Sequence, residues 1–311
     1  VSRIRITDGG DALRTEARLT REVSDELEAA GLRARIVVRD LDSQAEISIA
    51  HDGPVPLASV VKVPIALAIL NRIADGRLEA DRQVHVAPGR FEGGSPMGTS
   101  RFRHPSRIAV DDLLMLSVCF SDNTATDALL DLVPTEEVQR DLDDLGLGGI
   151  QIRHHLDALV RTPLESLPPP EAHLAYELAH ANPTQGAGHR IWQLDVSQAN
   201  VATAAGLTDL LAELWRPERI QTSAASRLRE LMAGNVVRHR LAPDLMSDAA
   251  KWSSKTGTLL HLRHEIGVVE HSDGQTIAVV VLSESSNSAA VQPAAEAALG
   301  AAARALHDLL R

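Results

Sequence analysis

The sequence predicts a mixed α+β fold, with strands near both ends of the chain and helices between them. Two observations carry this. Segments that read as strands occur at 33–40 and 46–50, and again at 251–260, 266–270 and 276–282. The stretches 59–70, 110–119, 203–211 and 223–232 instead repeat apolar residues at helical spacing. A chain of 311 residues suits one large domain or two interleaved ones, with a core large enough to need no staples.

In order, residues 11–30 place Leu13, Ala17, Val23 and Leu27 at roughly helical spacing and stop at Gly31, as a surface helix would. The strands 33–40 and 46–50 flank a polar Asp42-Ser43-Gln44 turn and form a hairpin, after which Asp52-Gly53-Pro54 breaks the chain. The helical stretch from Pro56 to Leu70 is apolar apart from two side chains, Ser59 and Lys62. Glycines at 76 and from 89 to 98 bracket loops, and Gly93-Gly94-Ser95-Pro96 lacks the strand-before, helix-after setting of a phosphate cradle. Residues 110–119, with Asp111 as a favourable charge near the helix start, deliver Ser121-Asp122-Asn123 on a turn between two helices. Helices at 203–211 and 223–232 lead to a strand at 251–260 that holds Lys255-Thr256-Gly257. A hairpin around Ser272-Asp273-Gly274 and a terminal helix over 288–310 complete the chain.

Three positions apart on a helix, Ser59 and Lys62 share a face with Cβ atoms about 5–6 Å apart. A serine becomes a nucleophile when a neighbouring base takes its proton, and a lysine buried among Val60, Val61 and Val63 is depressed toward that task. The competing reading has Ser59 capping the helix and Lys62 extending to water. Lysine usage bears on the choice. Of 31 basic residues only Lys62, Lys251 and Lys255 are lysines, so arginine does the general basic work. Codon bias explains that scarcity but not the positions, and only lysine can be tuned to act as a base.

Ser59-x-x-Lys62, Ser121-Asp122-Asn123 and Lys255-Thr256-Gly257 occur in the order that characterises class A β-lactamases and penicillin-binding proteins. The flanks agree: Thr124 to Leu130 after the second motif, and Thr258-Leu259 followed by Arg263 to Val269 after the third. The chain therefore resembles class A β-lactamase-like serine hydrolases over about residues 32–135 and 203–311. The resemblance implies an α/β/α sandwich in which helices flank a five-stranded antiparallel sheet. Residues 1–57 and 216–311 would build that lobe, and 58–215 an all-helical one. It also implies that Ser59 attacks an amide or ester carbonyl, Lys62 shuttles the proton, Ser121 relays it to the leaving group, and Asn123 positions Lys62 and a substrate amide. Lys255, with Thr256, Gly257 and Thr258, would draw in a substrate carboxylate, while the backbone N–H groups of Ser59 and Thr258 form the oxyanion hole. Arg263 is a further carboxylate contact or a surface residue.

The pattern departs over residues 146–200, where the R-x-E-x-x-L-N motif that supplies the family's water-activating glutamate is absent. Glu165, Asp157 and Glu171 are candidate replacements, each also readable as a solvated carboxylate. Three functions follow: hydrolysis of a β-lactam or related cyclic amide; another acyl hydrolysis or transfer on an amide, ester or peptide; and a sensor that is acylated once and stays so.

A net charge of −11 argues against a nucleic-acid or anionic-membrane surface, and no stretch reaches 18 apolar residues. With 2 % aromatics, stacking cages are not expected. Cys119 is the single cysteine, so there is no internal disulfide, and its apolar setting makes it a packed core thiol. No cofactor is implied. His261 and His264 sit too close together for a metal pair and H-E-x-x-H is absent, so no metal is expected. The chain starts at Val1 without a basic-then-apolar leader, which fits either an export signal removed or none. The expected partner is a small molecule bearing a carboxylate; oligomeric state is left open.

Overall fold

The computed structural model describes residues 10–50, 53–87, 97–159, 169–181, 184, 187–287, 289 and 291–311. Its organising element is a sheet of five strands: β1 (Leu32–Asp40), β2 (Glu46–Ile49), and β8 (Ala250–Leu259), β9 (Leu262–His271) and β10 (Thr276–Ser285) from the far end of the chain. They lie in the order β2-β1-β10-β9-β8, every neighbouring pair antiparallel. Central β10 is buried at all ten positions because both faces are covered. Val280 and Leu282 enter one apolar cluster, and Val279 and Val281 the other, as the two-residue strand period requires. On the second side lie α1 (Gly10–Ala29) and the terminal helix α9 (Pro293–Asp308).

The first side carries α2 (Lys62–Ala74), α3 (Val110–Cys119), α4 (Asn123–Leu130), α5 (Thr135–Asp144), α7 (Ala204–Trp215) and α8 (Thr222–Ala233). Helix α2 is apolar around most of its circumference, with Val63 and the whole of Ile65–Leu70 buried. Burying such side chains contributes about 1.5–3 kcal/mol each for the larger ones, so this helix is a core element rather than a surface one. Pro64 sits in its first turn, where the missing N–H breaks no helical bond.

Several boundaries differ from the periodicity. Strand β9 begins at Leu262 because Arg263, His264 and Glu265, polar as they are, are fully buried and bonded. The terminal helix begins at Pro293, a residue suited to a first helical position. Short strands β4 (Gln83–Val86) and β5 (Ser106–Ala109) pair on their own.

A small three-stranded sheet positions the middle of the chain. β7 (Val201–Ala202) pairs on one side with β3 (Val55–Pro56) and on the other with β6 (Ile150–Gln151). The segment between β6 and β7 thus leaves and returns through one neck, beside the strand that ends three residues before Ser59. It includes α6 (Ala175–Ala181). Among the described residues no helix is long and apolar enough to cross a membrane.

Candidate active site

Ser59 is half-buried in a 3₁₀ turn, Ala58–Val61, that runs directly into α2. Ala58 takes a left-handed φ of 48°, a strained conformation of the kind that collects at functional sites. Lys62 does not extend to water; it is fully buried. Its Nζ lies 3.0 Å from Ser59 Oγ, 2.9 Å from the Ser121 carbonyl, 3.2 Å from Ser121 Oγ and 2.6 Å from Asn123 Oδ1. All four partners are neutral oxygens. Burial, followed by the charge of Lys255, holds the amine well below its ordinary value, against the pull of Asp122 and Asp127. A neutral amine keeps a lone pair that can accept the Ser59 proton while its N–H bonds serve Asn123 and Ser121.

The second motif divides its labour by backbone geometry. Ser121 has a left-handed φ of 58° between α3 and α4, which sets its Oγ between Lys62 and Lys255 Nζ, the latter at 3.0 Å. Asp122 is fully buried and holds the α4 N-terminus through the Ala125 N–H, and a neighbouring loop through the Thr99 N–H and hydroxyl. Asn123 accepts from Lys62. Cys119 is buried and donates its thiol to the Leu231 carbonyl, a packed residue.

In the third motif Lys255 is fully buried and pushed down to about 7, chiefly by burial, with Glu265 drawing it back up. It also donates to the Thr256 carbonyl at 2.9 Å. Gly257 allows β8 to touch the Ser59 turn: a Cβ there would stand 2.9 Å from the Leu57 carbonyl and 3.0 Å from Val60 Cγ2. Thr256 is buried and Thr258 exposed. Opposite Gly257 in the ladder, His264 receives the Ser283 N–H on Nδ1 and donates from Nε2 to the Pro56 carbonyl at 2.9 Å. Burial drives its pKa down to about 3, so it is a neutral clamp between the sheet and the strand before Ser59.

Arg263 is fully buried and donates to the carbonyls of Leu260, Leu262 and Ala289. The guanidinium that touches the third motif is Arg240, also fully buried, which donates to Thr258 Oγ1 at 3.2 Å and pairs with Glu296 at 2.9 Å. Sequence spacing carries no signal for it, because it comes from the link between α8 and the short helix Ala242–Leu245.

Of the candidate water activators, Glu165 lies outside the described residues and Glu171 is exposed on a 3₁₀ turn. Asp157 is half-buried. The N–H groups of Leu156 and Asp157 donate to the two oxygens of Asp127, at 2.6 and 2.9 Å. Asn123 and Asp127 are four apart on α4, so their Cβ atoms stand about 5–6 Å apart on one face. That face holds Lys62 at one end and the Asp157 backbone at the other. Asp127 is fully buried, and burial raises its carboxyl to about 6 against the two N–H donors. Among the described residues no group of three or more His, Cys, Asp or Glu side chains is arranged to hold a metal.

The chain has relatives among known proteins. It is 49% identical over 304 residues to a protein of Streptomyces cacaoi named β-lactamase regulatory protein BlaB, spanning 94% of this chain and 97% of that one. It is 22% identical over 283 residues to β-lactamase VEB-1 of Pseudomonas aeruginosa, spanning 85% and 81%. Among solved structures, PBP-A superposes with a TM-score of 0.73 at 18% identity, covering 94% of this chain and 96% of that one. A β-lactamase from Chitinophaga pinensis gives 0.73 at 20%, covering 94% and 100%. These two likenesses are of fold. The profile of the β-lactamase enzyme family matches residues 18–310, so the similarity runs through the middle segment where the motifs fade, and the chain belongs to that family.

Proposed function

We propose that the protein forms an acyl-enzyme at Ser59 with a β-lactam or related amide and hydrolyses it. The observation that carries this is the fully buried Lys62 amine, 3.0 Å from Ser59 Oγ and depressed by its surroundings. Ser59 Oγ bonds to the carbonyl carbon as its proton passes to Lys62 Nζ; the C–N bond then breaks, and Ser121, between the two lysines, hands a proton to the leaving nitrogen. Backbone N–H groups of Ser59 and Thr258 would hold the oxyanion. Lys255 supplies positive potential for a substrate carboxylate, and Arg240 supports it from beneath Thr258. Asp157 is the described carboxylate best supported as water activator, because Asp127 fixes its backbone on the face of α4 that also carries Asn123.

A second reading is favoured by the relative named a regulatory protein: the acyl group stays on Ser59 and the protein reports the presence of a β-lactam. Intact-mass kinetics with a penicillin separates the two. Hydrolysis gives a transient adduct with turnover, and a sensor gives a lasting stoichiometric adduct. No adduct at all overturns both.

A further inference from the structure

The segment between β6 and β7 docks on the turn that follows the third motif. Ala179, Ile191 and Leu194 pack with Leu262, and Leu178 joins them beside Leu259 and Leu260. A cavity of about 230 Å³ opens at this contact, and His180, His261 and Glu284 help to line it. His261 is 2% exposed, and its Nδ1 has no hydrogen-bond partner; His180 Nε2 is likewise buried and unpartnered. Buried polar atoms of this kind call for an occupant, water or an ion.

His261 Nε2 faces Glu284 Oε2 at 3.8 Å. Each imidazole keeps one buried nitrogen without a hydrogen-bond partner, and behind that of His261 stands a carboxylate, as behind metal-ligating histidines. The ring centroids are 5.4 Å apart. With a zinc–nitrogen bond of about 2.1 Å and a tetrahedral angle, two ligating rings would have centroids about 5.3 Å apart.

We infer that His180 and His261 bind a divalent transition-metal ion, with zinc the best match, which staples the middle segment to the β8–β9 turn. Water completes the coordination shell, since no third side chain joins the pair among the described residues. The sequence shows His261 only beside His264, whose two nitrogens are both used; its partner comes from a helix on another segment.

Zinc titrated calorimetrically into the purified protein, with cobalt followed by its visible absorption, tests this. One ion per chain is expected, lost in His180→Ala and in His261→Ala and kept in His173→Ala, which alters an exposed histidine. Zinc should also raise the melting temperature of the wild type and of neither cavity variant, as a ligand of the native state does. No binding to the wild type, or one-to-one binding retained in either variant, overturns the proposal. His180 is only half-buried, so His180→Ala keeps the test open should His261→Ala not fold. The readout involves no acylation and is independent of the proposed chemistry at Ser59.

Discussion

Lys255 carries its amine where water does not reach, and folding works against its charge. Its pKa falls from 10.5 to about 7 in the native protein. At about 1.36 kcal/mol per pH unit, that shift corresponds to roughly 5 kcal/mol of destabilisation. The sign follows from proton binding. Below pH 7 both states hold the proton and the penalty is fully present; between 7 and 10.5 the unfolded chain holds one proton more, so stability rises with pH until the penalty is gone. Lys255→Met removes the charge and also the two hydrogen bonds, to Ser121 Oγ and the Thr256 carbonyl. At about 1–1.5 kcal/mol each, these offset part of the gain and leave a net stabilisation of about 2–3 kcal/mol at pH 6. Urea unfolding of the wild type and the variant at pH 6 and pH 10 measures it. The advantage should be present at pH 6 and vanish or reverse at pH 10, while β-lactam acylation is impaired at both. A variant less stable than the wild type at pH 6, or a difference that ignores pH, would show that Lys255 is not a buried, depressed amine.

Ser59→Ala should abolish covalent labelling by a penicillin or a fluorophosphonate in intact-mass spectra, and surviving label would place the nucleophile elsewhere. Lys62→Arg keeps a cation that cannot act as a base, so the acylation rate should fall by on the order of 10²–10⁴ in single-turnover mass kinetics; an unchanged rate would remove Lys62 from the proton path. In Asp157→Asn the acyl-enzyme should still form but clear more slowly, by on the order of 10²–10⁴ if Asp157 is the base. Glu165→Gln is the companion variant, and deacylation as fast as acylation in the double variant would eliminate both carboxylates.

The chain's local patterns determined a good deal by themselves. Strand-like runs place four of the five sheet strands closely, and polar turns mark the β1–β2 and β9–β10 hairpins. Ser59-x-x-Lys62, Ser121-Asp122-Asn123 and Lys255-Thr256-Gly257 are legible because each group sits within one turn or one strand, where spacing along the chain is spacing in the molecule. Strand order lay beyond local pattern: the family resemblance implied the antiparallel sheet, and the fold sets β1 against β10 across most of the chain.

Only the tertiary structure decided what depends on distant segments meeting. Lys62 is buried because α2 is enclosed along most of its surface, and that burial, followed by the charge of Lys255 from the far end of the chain, depresses its pKa. Arg240 reaches Thr258 from a connection with no periodic signature. His264 clamps the Pro56 carbonyl from across the fold. Asp127, which reads in sequence as one more helical residue, is what fixes Leu156 and Asp157 beside the site. Burial and proximity are properties of the folded assembly: a polar side chain's pKa, tautomer and partner are set by atoms tens or hundreds of positions away, and no local pattern encodes them.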